Sequence, residues 1–155
     1  MFGVCLRYAK NQMEAEDFLQ EGFIRVFKNI KQYNGSGSLE GWIRRVVINV
    51  CLEIIRKEKT MLFINREEYQ TDYTDNPITE YYDTEYLLKA IQSLSEGYRT
   101  VFNLYAIEGY SHKEIAGLLE ISEGTSKSQL ARARQLLQSK LTMHSSIKMN
   151  FHVQS

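Results

Sequence analysis

Proline occurs once in this chain, at Pro77, and cysteine twice, at Cys5 and Cys51. Two cysteines with no CxxC spacing, and three isolated histidines (His112, His144 and His152), leave no zinc site. Both cysteines sit among apolar residues and are expected to be buried thiols. No apolar run approaches the ~20 residues that a bilayer-spanning helix needs. The start, MFGVCLRYAK, lacks the basic segment before an apolar stretch that opens a secretory signal. No membrane insertion is therefore expected, and a cytoplasmic location is the simplest one. A GxxxxGK phosphate loop and a GxSxG nucleophile elbow are also missing. Nothing in the sequence favours acid–base catalysis, and no cofactor or enzymatic centre is expected. Net charge is absent too, because 19 bases balance 19 acids.

The distribution of charge carries more than its sum. Residues 59–86 hold two bases and seven acids, whereas Thr125 to Leu141 holds four bases and no acid. A basic segment on a neutral chain points to nucleic acid at one place rather than everywhere.

Strand signals are weak and helical periodicity is strong, so the expected fold class is all-α. Asn11 caps a helix running to about Gln32, with Glu14 placed as in a capping box. Its row is Phe18, Gly22, Val26 and Ile30, with Leu19, Phe23 and Phe27 beside it. Glu21 and Arg25 form an i, i+4 pair. YNGSGS, residues 33–38, is a loop. Ser38 then caps a helix to about Lys57, with Leu39, Ile43, Val46, Val47, Val50 and Ile54 as its core row. Beside that row run Trp42, Arg45, Asn49, Leu52 and Arg56. This gives a first domain over 1–58. Residues 59–86, with acids, tyrosines and the lone proline, read as a loosely structured linker. Helices over Tyr86–Ser95 and Glu96–Ile107 open a second domain over 87–141. Residues 142–155 lack a pattern and are expected to form a disordered tail.

The second domain contains the clearest motif. Ser111 and Glu114 make an S-x-x-E capping box, and Tyr110 and Ile115 stand as a hydrophobic staple. A short helix to Leu119, a turn at Glu120–Ser122 and a longer basic helix describe a helix-turn-helix. Ala116 marks the close approach of the two helices, and Ile121 plugs the gap between them. Leu130, Ala133, Leu137 and Leu141 give the basic helix an inward stripe. Thr125, Lys127, Ser128, Gln129, Arg132 and Arg134 lie on its other faces. Lys and Arg suit phosphates, and Arg and Gln can pair with base edges in the major groove. A solvated face on an ordinary bundle helix would carry the same pattern. Trp42 with Arg45 and Asn49 suits unpaired bases, which stack on rings while cations hold the backbone. A tryptophan at helical spacing is equally often core.

Three segments in this order resemble the sigma-70 family of bacterial RNA polymerase initiation factors, in its compact extracytoplasmic-function layout. AEDFLQEGFIRVFKNI (15–30) is similar to the family's core-binding helix. GSLEGWIRRVVINVCLEIIRK (37–57) is similar to its promoter-melting helix. LSEGYRTVFNLYAIEGYSHKEIAGLLEISEGTSKSQLARARQLL (94–137) is similar to its C-terminal helix-turn-helix. The resemblance implies two small helical domains joined by a linker, with core RNA polymerase, promoter DNA and an anti-sigma factor as partners. It implies that Asp17, Phe18, Gln20, Glu21 and Arg25 face the polymerase. It implies that Asn34, Ser36, Trp42, Arg45 and Asn49 handle the opened minus-10 element. Thr125, Lys127, Ser128, Gln129, Arg132 and Arg134 would read the minus-35 duplex.

Family members carry a further helix before the equivalent of Met1, so the first helical module is expected to be incomplete. Apolar surface around Phe2, Val4 and Leu6 is expected to lie open as a result. The turn has Glu120 where the family commonly has Gly. Ser126 stands for a common Val, and Gln129 for a common Arg, which would shift base preference toward adenine. A stand-alone helix-turn-helix regulator of duplex DNA is the alternative reading, and a small helical enzyme a distant third.

Overall fold

The computed structural model describes residues 1–62 and 83–152, with side chains over 1–57 and 84–142. Among these residues there are seven α-helices and no strand. Helices α1 (Phe2–Tyr8), α2 (Gln12–Asn29) and α3 (Leu39–Leu62) form the first module. Helices α4 (Asp83–Gln92), α5 (Glu96–Phe102), α6 (His112–Leu119) and α7 (Glu123–His152) form the second. No helix among the described residues is long and apolar enough to cross a membrane.

Local chemistry sets the helix starts. Asn11 Oδ1 accepts from Glu14 N at 2.9 Å, and Ser38 Oγ accepts from Gly41 N at 3.0 Å. The helix–loop–helix turn of the first module is made by Gly35 and Gly37, both at φ +79°, where a side chain would strain the backbone. Where α2 crosses α3, Gly22 is the close-approach residue. A Cβ there would stand 3.1 Å from Val47 Cγ2.

The core of α3 is wider than its sequence row. Val47 and Val50 are buried as expected, but so are Ile48, Cys51, Leu52 and Ile55. Leu52, read with the Trp42 stripe, belongs to the core, and Leu39 at the helix start is exposed. The reason is that α3 is covered on two sides, by α2 on one and by α1 with the second module on the other. Each large side chain buried this way contributes about 1.5–3 kcal/mol. One continuous core joins Val4, Cys5 and Tyr8 of α1 and Ile48 of α3 to Val101, Leu104, Ile115 and Leu130 of the second module.

That shared core overturns the expectation for the chain start. Val4 is buried and Phe2 and Leu6 are half-buried, because α4 and α5 pack over α1. Cys5 and Cys51 are free, buried thiols, as expected. A hydrogen bond from Cys5 and burial together push the Cys51 thiol well above its usual range.

Several boundaries move. α3 runs on to Leu62 and α4 begins at Asp83, so the described parts of the expected 59–86 linker are helical. The remainder of that linker lies outside the described residues. The helix expected over Glu96–Ile107 changes character at Asn103. Its last turn, Asn103–Ile107, is π-helical, with Glu108 N donating to Asn103 O at 3.0 Å. Gly109, at φ +79°, then reverses the chain toward Tyr110. α7 continues to His152, past the expected end at Leu141, so the segment read as a disordered tail begins as helix. No Gly or Pro follows Gly124, so nothing in the sequence breaks the helix there.

Candidate nucleic-acid interface

The second module is built as its caps dictate. Ser111 Oγ accepts from Glu114 N at 3.3 Å while Glu114 Oε2 accepts from Ser111 N at 2.8 Å. The Ser111 hydroxyl and backbone hold the Glu114 carboxyl below the usual carboxylate range. Ile115 is fully buried, and Tyr110 and Ile121 pack against the same core. The turn after α6 passes through Glu120 at φ 56°, ψ 41°. That is the left-handed conformation Gly adopts freely and Glu does not. Ser122 Oγ then accepts from Thr125 N at 2.9 Å and caps α7.

Leu130, Ala133 and Leu137 are buried and face inward. Leu141, read as the fourth of that stripe, is exposed, because α7 has by then passed the end of the module. Lys127, Ser128 and Arg132 lie exposed along one outer face. Ser128 Oγ donates to Thr125 O at 3.0 Å, and Arg132 Nη1 to Gln135 Oε1 at 2.9 Å. Both side chains are thereby oriented yet remain on the surface.

Three recognition-helix residues are placed differently from the sequence reading. The Gln129 side chain turns inward onto α5, where its amide fills the space above Gly97, 3.3–3.5 Å from where a Cβ would stand. In this arrangement it packs between helices and is not presented to a base. The Arg134 guanidinium stands 5.5 Å from the centroid of the Tyr105 ring, a cation–π contact. Ser126 is fully buried, with its hydroxyl 2.9 Å from His112 Nδ1. The His112 ring in turn stacks on Tyr105, with centroids 4.5 Å apart and 22° between planes.

The first module offers a second surface. Asn34 Oδ1 accepts from Ser36 N at 3.0 Å, so the loop residues Asn34 and Ser36 hold one another in place. Trp42 is half-exposed and leans on Tyr33, with centroids 5.8 Å apart and the rings tilted by 48°. Arg45 and Asn49 are exposed one and two turns along the same helix. They line a cleft of about 740 Å³ whose opposite wall is Ile107, Tyr110, Glu114 and Leu118 of the second module. Arg44, which the sequence reading left out, also opens onto this cleft. Its neighbour at Arg45 was the sequence signal that could have found it.

On α2, Asp17 and Gln20 are exposed and Glu21 half-exposed. Phe18 is not on that surface. It is only 1% exposed and sits in the core, because it shares the Gly22–Val26 row that faces α3. Arg25 pairs with Glu53 of α3 at 3.2 Å rather than with Glu21. Lys57 also reaches Glu53, at 2.9 Å, and its hydrogen bond is the main reason that this carboxyl is held below its usual range. The apolar side chains that α2 exposes are Met13, Ile24, Ile30 and Phe27, the last 72% open beside Phe23. Phe27 lies one position past the buried Val26, which is the pattern signal for it.

These two surfaces, in this order, define a two-module helical DNA-binding factor. The family model described as Sigma-70 region 2 matches residues 1–60, and that described as Sigma-70, region 4 matches residues 84–137. Among relatives, the chain is 30% identical over 140 residues to the ECF RNA polymerase sigma factor SigM of Bacillus subtilis. That match covers 88% of this chain and 85% of the relative. It is 35% identical over 155 residues to the ECF RNA polymerase sigma factor SigE of Mycolicibacterium smegmatis, covering 94% of this chain. The chain spans 59% of the length of that relative. Among solved structures, the sigma factor RpoE of Bartonella quintana, crystallised with the anti-sigma factor NepR, superposes with a TM-score of 0.59. Identity there is 21%, over 91% of this chain and 89% of that one, which bears on the fold.

The chain belongs to the sigma-70 family, in its extracytoplasmic-function group. Members of that group are initiation factors rather than enzymes, and the stand-alone regulator reading gives way to this one.

Proposed function

We infer that this protein binds core RNA polymerase and directs it to specific promoters. The observation that carries the reading is the order of the parts. A module with an aromatic and basic stripe precedes a helix-turn-helix whose reading helix has an acid-free outer face. A regulator of duplex DNA needs the second of these and has no use for the first.

Each surface then has a task. Lys127, Ser128 and Arg132 lie along the minus-35 duplex, with Thr125 at the capped start of the helix, where backbone amides favour a phosphate. Trp42 with Arg45 and Asn49 takes up bases of the opened minus-10 element. Separating strands costs about 1.4 kcal/mol per step, and each captured base recovers ~1–3 kcal/mol by stacking. Asp17, Gln20 and Glu21 face the polymerase, with the exposed Ile24 and Phe27 supplying apolar contact area beside them. An anti-sigma factor is the expected restraining partner, and the cytoplasm the expected place of action.

Co-purification with core polymerase, followed by run-off transcription over a pool of genomic fragments, tests this. Stable association and new promoter-specific transcripts are expected. A well-folded chain that fails to associate, yet binds a palindromic duplex tightly by itself, would return the stand-alone regulator. Glu21→Lys should abolish association while leaving helix content unchanged.

A further inference from the structure

The last turn of an α-helix leaves carbonyls without partners. In α1 those carbonyls are Leu6, Arg7 and Tyr8, and all three are capped from the second module. Gln92 Nε2 donates to Leu6 O at 2.9 Å, Asn103 Nδ2 to Arg7 O at 2.7 Å, and Arg99 Nε to Tyr8 O at 3.0 Å. Arg99 is 3% exposed, and its Nη1 also reaches Gln92 O at 2.9 Å and Leu94 O at 3.1 Å. One buried cation thus gathers the ends of α1 and α4.

A second contact lies on the strand-binding face. Glu108 follows the π-helical turn, and its side chain is 6% exposed. It accepts from Arg44 Nε and Nη2, each at 2.7 Å, and from Arg7 Nη2 at 3.2 Å. Two parallel N–H donors on one carboxylate is the same fork that a guanidinium offers a phosphate. Beside it, Arg45 and Asn49 look across the cleft at Glu114 of the second module. The outer pair Arg56–Glu120 is solvent-exposed at 3.4 Å and adds little.

Size makes this arrangement incompatible with a two-element promoter. A compact chain of 155 residues has a radius of gyration of about 15 Å, hence a diameter of about 40 Å. Elements at minus 10 and minus 35 lie ~25 base pairs apart, about 85 Å of duplex at ~3.4 Å per pair. The two modules must part to reach both.

We propose that Glu108 is a built-in competitor of DNA phosphate for Arg44, and that the α1 cap by Gln92, Arg99 and Asn103 holds the second module closed over the strand-binding face in the free chain. This rests on the function inferred above. Polymerase and promoter then act against a defined set of contacts, and closure keeps the unbound protein from gripping arbitrary single strands.

The test uses the full chain and a fluorescein-labelled oligo(dT) twenty-mer at low salt, a probe without promoter sequence. Glu108→Gln keeps the shape of the side chain and removes its charge. It should tighten oligo(dT) binding about three- to tenfold, with far-UV helicity unchanged. Arg44→Ala should abolish that gain when combined with it. Unchanged affinity, or an equal gain in the Arg44→Ala background, would overturn the proposal.

If Glu108→Gln loses helicity, small-angle scattering of the unmodified chain decides. A compact particle that expands on adding oligo(dT) upholds closure, and a chain already extended when alone overturns it. Co-purification with core polymerase, run in parallel on both proteins, separates the two inferences. Association without any effect of Glu108→Gln on oligo(dT) removes closure and leaves the initiation-factor reading. The reverse pattern removes that reading and leaves closure.

Discussion

His112 Nδ1 lies 2.9 Å from Ser126 Oγ, joining the first residue of α6 to the buried first turn of α7. Among the described residues this nitrogen is the hydroxyl's hydrogen-bond partner. A buried hydroxyl gives its proton to an available acceptor, so Nδ1 accepts and Nε2 carries the ring proton. The imidazole is held from its face as well, by Tyr105, over whose ring Arg134 also stands. Ser126, His112, Tyr105 and Arg134 therefore form one connected set that fixes the reading helix at two points, two turns apart.

Ser126→Val tests that set. Valine adds buried apolar surface, yet it leaves Nδ1 without its partner, a loss worth ~1–3 kcal/mol in a buried site and less for a half-buried ring. The expected outcome is a destabilisation of about 1 kcal/mol by urea unfolding. His112→Phe should recover most of it when combined with Ser126→Val. Simple additivity of the two changes would show that the residues are not coupled.

Glu120→Gly addresses the turn. The left-handed conformation at φ 56° costs a non-glycine residue ~1 kcal/mol or more. Glycine removes that strain and forfeits only the exposed contact with Arg56. Stability should rise by up to about 1 kcal/mol, read as a higher urea midpoint at an unchanged slope. A fall in midpoint would mean that the exposed ion pair outweighs the backbone term.

The outer and inner faces of α7 should respond differently to truncation. Arg132→Ala should weaken minus-35 duplex binding in the polymerase complex and lower the salt slope by about one unit. Gln129→Ala should lower stability by opening space above Gly97, and leave base preference as it was. A changed base profile for Gln129→Ala would place that side chain on the DNA after all.

Acid should loosen the helix-turn-helix through Glu114. Its folded carboxyl titrates below its unfolded value because Ser111 donates to it from both side chain and backbone. A depressed folded value means that the stabilisation is present above the ordinary carboxylate range. It is lost as pH falls through the folded value. Glu114→Gln should therefore flatten the acid limb of the stability–pH curve while changing the neutral plateau little. An identical acid limb in wild type and variant would remove Glu114 from that role.

Much of the second module was legible because its signals are local. Ser111, Glu114, Tyr110 and Ile115 lie within six residues, and their cap and staple chemistry needs nothing from elsewhere. Glu120 stood out against the backbone conformation that the turn requires, and the structure has that conformation. The misplaced residues share one cause, contacts from distant elements. Phe18 and Leu52 carry no mark of which helix covers them. Gln129 turns inward only because Gly97, thirty-two positions away, has no side chain. The burial of Val4 depends on α4 and α5 packing over α1, and no period in MFGVCLRYAK encodes that.

Trp42 is the chain's single tryptophan, and it sits half-open against Tyr33 on the face that opposes the second module. The ultraviolet emission of the whole protein therefore originates at one place. An unlabelled sample reports on the strand-binding surface each time a base stacks there or the solvent around it changes.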